Sequence, residues 1–280
     1  MIQQSFKNGK PTVYLVATPI GNLKELTPRA IEVLSSVDYV AAEDTRTAKK
    51  LLSNFDIQTK LVSHHLHNEH ESTKGLLALL EEGKNIALVS DAGYPLISDP
   101  GQTFVSSVVE AGFNVVPISG ASAFLNALVA SGLVVQPFAF MGFLEAKESQ
   151  LRKQLQKNKD LPMTTLYYLS VHKLEKTLEI ILEILGDRKI CLAREITKLH
   201  EEFIHGSVTE VMQTIDVIKG EFVLVIEANQ EEENVSFEDL HKLIEAQIAD
   251  GTSVSRAISS VAKANGISKN ELYASYHDAK

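Results

Sequence analysis

From Thr12 onward, short apolar runs rich in β-branched residues alternate with longer stretches of helical period, and that rhythm restricts the chain to an α/β architecture with a substantially parallel sheet. The runs are Thr12–Thr18, Val37–Ala42, Lys60–Ser63, Ile86–Ser90, Asn114–Ile118 and Phe138–Phe143. Helices fit between them. Thr27-Pro28 offers a cap and a first-turn proline, Asn68 with Glu71 forms a capping box for a long helix, and Gly83 stops it. A charged helix with Arg152, Lys153 and Lys157 follows, and Lys157–Pro162 gathers charge and proline as a first linker. The pattern resumes with strands at Thr164–Leu169, Lys189–Arg194 and Glu221–Glu227 and helices at Lys173–Leu185 and Thr209–Ile215. A second linker, Gln230–Asn234, carries three consecutive glutamates. Beyond it, Phe237–Ala249, Val254–Ala264 and Lys269–Tyr276 read as a small helical domain, with Ser268 and Glu271 as another capping box. The expected organisation is an α/β subdomain over 12–158, a second over 159–229 and a helical domain over 236–280.

Composition narrows the function classes. A chain of 280 residues, 44% of them hydrophobic, can bury a sizeable core. Lysine and arginine number 27 against 36 acidic residues, a net charge of −9, which argues against a uniformly basic nucleic-acid coat and leaves room for a local basic groove. The lone Cys191 excludes an intramolecular disulfide and a multi-cysteine zinc site, and suits a reducing compartment. Met1–Pro11 is polar, and no run approaches the ~18 apolar residues of a membrane span. A cytoplasmic protein is expected.

Three glycine-bearing loops follow expected parallel strands: Pro19-Ile20-Gly21, Asp91-Ala92-Gly93 and Ser119-Gly120-Ala121-Ser122. Ligands bind at that edge of open α/β sheets, because strand ends leave backbone groups unpaired and helix N-termini donate. Each glycine can equally serve only a tight turn; three together favour a small-molecule pocket. Neither G-x-G-x-x-G nor G-x-x-x-x-G-K-[ST] occurs, nor does G-x-S-x-G, which argues against a conventional NAD enzyme, a P-loop NTPase and an α/β-hydrolase. The cluster His64-His65-Leu66-His67-Asn68-Glu69-His70 lacks H-E-x-x-H spacing, and reads as the polar rim of a cleft rather than a metal site. Glu43-Asp44-Thr45-Arg46 ends the second strand, either as general base and positioning groups or as a capped helix start with a local ion pair. Arg194-Glu195 is open to the same two readings.

Read together, Tyr14-Leu15-Val16-Ala17-Thr18-Pro19-Ile20-Gly21-Asn22-Leu23, Ala42-Glu43-Asp44-Thr45-Arg46 and Val89-Ser90-Asp91-Ala92-Gly93-Tyr94-Pro95-Leu96-Ile97-Ser98-Asp99-Pro100-Gly101 resemble the ribosomal RNA small subunit methyltransferase I family of the tetrapyrrole methylase superfamily. Ala130-Ser131-Gly132-Leu133, Gly142-Phe143-Leu144, the segment from Ala193 to Phe203 and Gly220-Glu221-Phe222-Val223-Leu224-Val225 follow in family order. The resemblance implies two α/β subdomains with S-adenosylmethionine in the cleft between them, a helix-turn-helix-like C-terminal extension, a homodimer, and 2′-O-methylation of a cytidine ribose in the decoding region of 16S rRNA within the 30S subunit or a late precursor. It implies cofactor contacts at Thr18, Pro19, Asp91, Gly93, Pro95, Ser122, Ala123, Leu169, Ala193 and Gly220. Where the family commonly has glutamate, this chain has Leu66 and Leu169. The alternatives are a methylase of a small tetrapyrrole, from the same superfamily, and, on account of those leucines, a cofactor-binding member with weak or lost catalysis.

A ribose hydroxyl is a poor nucleophile at neutral pH, so a carboxylate or histidine accepting its hydrogen bond assists transfer. The candidates are Glu43, Asp44, His67 and Glu69, with Arg46, Arg194 and Glu195 handling substrate. No metal is expected.

Overall fold

The computed structural model describes residues 2–65, 69–171, 174–215, 219–229 and 237–278. Two compact units result, Met1–Ala228 and Asn229–Lys280.

The first unit holds two five-stranded sheets. In the first, β1 (Thr12–Val16), β2 (Tyr39–Ala42), β3 (Lys60–Ser63), β4 (Ile86–Val89) and β5 (Asn114–Ile118) are all parallel, in the order β3-β2-β4-β1-β5. The interior strands are apolar on both faces, and successive residues feed opposite cores. Ala87 and Val89 pack beneath α1 (Pro28–Ser36) and α2 (Thr45–Asn54), while Ile86 and Leu88 pack with Leu76, Leu80, Phe104 and Val108 of α3 (Glu69–Glu81) and α4 (Gln102–Glu110). Thr27 caps α1 by accepting from the Ala30 amide at 3.1 Å, with Pro28 in the first turn as read from the sequence. The expected cap residue of α3, Asn68, lies outside the described residues.

After the first sheet comes α5 (Ala123–Ala130), which packs Ala127 and Leu128 on the second sheet against Leu166, Ala193 and Val225. The second sheet, ordered β6-β7-β10-β8-β9, contains β6 (Phe138–Phe143), β7 (Thr164–Leu169), β8 (Lys189–Arg194), β9 (Glu202–Ser207) and β10 (Phe222–Ile226), with α6 (Glu148–Asn158), α7 (Leu174–Leu185) and α8 (Val208–Thr214). It is mixed: β6 runs parallel to β7, but β10 is antiparallel to both β7 and β8. The boundary expected near residue 158 falls after α6, whereas β6 is already hydrogen-bonded into this second sheet.

β9 went unread in the sequence. It is an edge strand of mixed polarity, Glu-Phe-Ile-His-Gly-Ser, and its pairing with β8 rather than its own pattern makes it a strand. Its last residue, Ser207, closes a capping box with Glu210 at the start of α8. Ser207→Ala is expected to lower stability by about 1 kcal/mol in urea unfolding, through loss of a hydrogen-bonded cap.

In the second unit, α9 (Phe237–Ala249), α10 (Val254–Ala264) and α11 (Lys269–Asp278) bury Leu240, Ile244, Ile258, Val261, Leu272 and Tyr276 in a core of their own.

Candidate functional site

Strand order creates the site. Because β4, β1 and β5 are neighbours, the loops leaving their C-terminal ends lie side by side although they are far apart in the chain. Thr18 and Gly93 exchange backbone hydrogen bonds of 2.9 and 3.0 Å, and the Thr18 hydroxyl donates to the Ser90 carbonyl at 3.1 Å. The Gly120 amide donates to the Tyr94 hydroxyl at 3.2 Å. Two glycines are required here. Gly93 takes φ +78°, in the left-handed region, and a Cβ on Gly120 would stand 2.8 Å from the Ala17 Cβ. The three loops are thus one laced edge.

The second sheet supplies the opposite wall. Since β10 enters antiparallel between β7 and β8, its first residue Phe222 pairs with both Leu169 and Arg194, the last residues of those strands. Between the walls is a cleft of about 560 Å³, lined on one side by Ile20, Asp91–Tyr94, Ile97–Asp99 and the start of α5, and on the other by Phe143, Tyr168–Val171, Ile196 and Gly220–Val223. That volume falls within the roughly 300–1,000 Å³ usual for small-molecule sites. The turn beside it is strained, with Glu195 at φ +48° and Thr197 at +70°. It is pinned by the Glu195 carboxylate, which accepts from the Glu221 amide at 2.8 Å and from Lys198 at 3.1 Å. The Glu221 amide, then the nearby Lys198, hold the Glu195 carboxyl below its ordinary range. Lys198 lies across Gly21, whose added Cβ would meet its side chain at 2.5 Å, so this turn reaches the loop after β1.

Acidic groups gather at the rim of the first sheet. Asp99 is pushed up to about 6, chiefly by burial and then by the charges of Glu43 and Asp91. Burial and the nearby Asp44 also raise Asp91. Asp44 behaves oppositely: hydrogen bonds from the Arg46 side chain and amide hold it at about 2. His64 is buried, receives or donates one hydrogen bond with Ser72 at 2.7 Å, and is lowered by burial.

Of the residues read from the sequence, Asp91, Gly93, Ser122, Ala123, Leu169 and Gly220 line the cleft. Thr18 and Pro95 are buried in the loop framework behind it and Pro19 is half-buried, while Ala193 lies in the core beneath, fully buried among Cys191, Val223 and Val225. None of these four is among the lining residues. Glu43 lies close enough to act on Asp99, and Asp44 on Asp91, but neither lines the cleft. Asp44 caps α2 and grips Arg46 through contacts of 2.7 and 3.0 Å, leaving that guanidinium exposed on the helix start. Glu69 accepts from the Gly101 amide at 3.3 Å, bracing the loop that carries Asp99. Arg194 donates to the Lys219 carbonyl at 2.6 Å and pairs with Glu202 at 3.2 Å, so with Glu195 it fastens the wall and does not face into the cleft. His67 and Leu66 lie outside the described residues. Among the described residues no group of three or more His, Cys, Asp or Glu converges to hold a metal.

Sequence reasoning overlooked Asp99, Phe124, Phe143 and Ile196 as lining residues. The punctuated Ser98-Asp99-Pro100-Gly101 was the available signal for the first; Phe124 sits on a helix and Phe143 at a strand end, both apolar, and Ile196 in the turn after β8.

The tetrapyrrole (corrin/porphyrin) methylase family model matches residues 12–212. Proteins called ribosomal RNA small subunit methyltransferase I from Halalkalibacterium halodurans and Bacillus subtilis are each 46% identical, covering 98% of this chain and 98% of their own length. Solved structures of a diphthine synthase and of the uroporphyrin-III-C-methyltransferase of Thermus thermophilus share the fold, with TM-scores of 0.61 and 0.54. They are 16% and 21% identical, and the matches cover 78% of this chain and 90% and 94% of theirs. By these likenesses and by its own architecture, the chain belongs to the tetrapyrrole methylase family and, within it, to the ribosomal RNA small subunit methyltransferase I group.

Proposed function

We propose that this chain transfers a methyl group from S-adenosylmethionine to the ribose 2′-oxygen of a cytidine in the decoding region of 16S rRNA, within the 30S subunit or a late precursor. The observation that carries the reading is the laced-loop cleft itself, in a chain 46% identical over nearly its full length to proteins named for small-subunit rRNA methylation. The residues suit the cofactor. Ile20, Phe124 and Val223 offer an apolar slot for an adenosyl group, and the start of α5 at Ser122 and Ala123 turns helix N-terminal amides, uncapped by the Ser122 side chain, toward a carboxylate. Asp91, exposed at the rim, suits an ammonium group. When bound, S-adenosylmethionine supplies an electrophilic methyl group on a positive sulfonium.

The chain's own work is alignment and proton handling. Holding the ribose oxygen in line with the methyl carbon is worth roughly 7–11 kcal/mol in well-oriented reactions. For the proton, Asp99 is better suited than Asp44, Glu43 or Glu69: it lines the cleft, and its affinity for a proton sits near neutrality, where a general base works best. Asp44 is spent on Arg46 and Glu69 on Gly101. A second reading, cofactor binding without turnover, is favoured by one feature, the apolar Leu169 at the cleft wall.

RNA contact falls to local cations such as Lys49 and Lys50, exposed on α2. The same reading includes cytoplasmic residence, and no described helix is long and apolar enough to cross a membrane. It also includes a homodimer, supported by the exposed apolar side chains of Leu125 and Val129 one turn apart on α5 and of Val134, Val135 and Phe138 after it. Sedimentation is expected to give twice the 30.8 kDa chain mass. The deciding test is complementation: this chain, expressed in cells lacking the endogenous enzyme, should restore ribose methylation mapped by mass spectrometry of 16S rRNA. Tight cofactor binding without methylation would establish the second reading, and methylation of a porphyrinoid precursor instead of 30S subunits would overturn both.

A further inference from the structure

A bulge in β6 aims one aromatic side chain out of the register its strand would dictate. Alternation is regular in β7, where Leu166 and Tyr168 face the cleft-side core while Tyr167 and Leu169 face the helices on the other side. β6 begins the same way, with Phe140 on the cleft side and Met141 on the helix side. Continued alternation would send Phe143 to the helix side with Met141. Instead the pairing slips: Phe140 opposes Leu166, but Phe143 opposes Tyr168, so β6 spends one more residue than β7 over that interval. Gly142 takes the extra residue at φ +76°. Phe143 is thereby turned onto the cleft wall, its ring 5.2 Å from that of Tyr168 and edge-on to it.

The backbone under this ring is held while the ring is not covered. Gln154 of α6 donates to the Phe143 carbonyl at 3.1 Å, and the Leu144 amide donates to the Tyr168 carbonyl at 2.9 Å. Yet Phe143 is 59% exposed, in contrast to Leu144 at 8%. Beneath the cleft wall, Phe140 packs in the core, where Phe124 stacks on it at 4.5 Å and Tyr168 meets it at 4.8 Å, so these aromatics already have partners. An aromatic ring on a pinned backbone, resting edge-on against one neighbour and otherwise open to solvent at the rim of a cleft, is an arrangement that receives a flat π-system at a reduced ordering cost. Unpaired bases are read by stacking on such rings, and a base presenting its ribose to a buried methyl donor must leave its stack first.

We propose that Phe143 is the stacking platform for the unpaired base of the RNA nucleotide whose ribose enters the cleft. This rests on the function proposed above and adds to it the residue that holds the substrate base.

The test uses the full chain with S-adenosylmethionine present and a single-stranded oligoribonucleotide in which one cytidine is replaced by fluorescent pyrrolocytidine. Wild type and Phe143→Trp should quench the probe on binding. Phe143→Ala and Phe143→Leu should bind it about ten- to a hundredfold more weakly, with the calorimetric cofactor Kd unchanged in all four proteins. On 30S subunits the Phe143→Ala loss should appear mainly in KM. Leucine matching the wild type would reduce the role to apolar contact and overturn the proposal. So would a weakened cofactor Kd in Phe143→Ala, which would give the ring to the cofactor, and so would an unquenched probe with wild-type protein. If wild type quenches the probe but leaves 30S subunits unmethylated, the methylation reading fails while the platform stands.

Discussion

Asp99→Asn should lower methyl transfer to 30S subunits by about 10²–10⁴-fold while leaving cofactor affinity within a few-fold of wild type, the usual worth of a positioned proton acceptor. The pH profile separates this role from a structural one. Asp99 must be ionised to accept the hydroxyl proton, and its carboxyl is pushed up to about 6, first by burial and then by Glu43 and Asp91. Below that value the active form is depleted about tenfold per pH unit, so kcat/KM should climb with pH up to about 6 and level off above it. The groups facing Asp99 are Glu43, Asp91, the Ser90 hydroxyl and, across the cleft, Tyr168. Glu43→Gln removes one repelling charge, so it should move the limb to lower pH without abolishing turnover. An acid limb that survives in Asp99→Asn would assign the proton to another group.

Gly120→Val should be the most damaging single change at the cofactor wall. The Cβ alone would stand 2.8 Å from the Ala17 side chain and 3.2 Å from the Ala17 carbonyl oxygen, and that backbone directly follows β1 and precedes Thr18, so it cannot retreat without dragging Thr18 off Gly93. Overpacking of this kind costs typically about 1–3 kcal/mol. Because the strain is released by separating the loops after β1 and β5, calorimetric affinity for S-adenosylmethionine should fall by more than about tenfold, each 1.4 kcal/mol being a factor of ten. The far-UV circular dichroism should persist, since both sheets are built from contacts elsewhere. Wild-type affinity in this variant would show that the three loops do not form a single binding edge.

Much of this site could be read locally. Asp91, Gly93, Ser122 and Gly220 stand in turns and caps whose residue types announce them, because a left-handed turn or a helix start is decided by neighbours in the chain. Arg194 and Glu195 were legible only as an ambiguous pair: whether such charges meet a substrate or fasten a wall depends on Lys198, Glu202 and Glu221, which only folding delivers. Leu169 and Ala193 show the same limit from the apolar side. One lines the cleft and the other lies under it, a difference set by how far along its strand each stands: Leu169 is the last residue of β7, whereas Ala193 is one residue short of the end of β8.

Taken alone, the amino-acid order determined the α/β rhythm, the glycine loops, the helical tail and the family motifs, since these are written in short-range periodicity and turn chemistry. The tertiary structure decided the rest. Only the β3-β2-β4-β1-β5 order brings the loops of β4, β1 and β5 together, and only the pairing of β8 with Glu202–Ser207 makes that segment a strand. Register against β7 turns Phe143 to the cleft, and burial beside Glu43 and Asp91 gives Asp99 its proton affinity. Strand order, register and desolvation are properties of residues distant in sequence, so no window along the chain contains them.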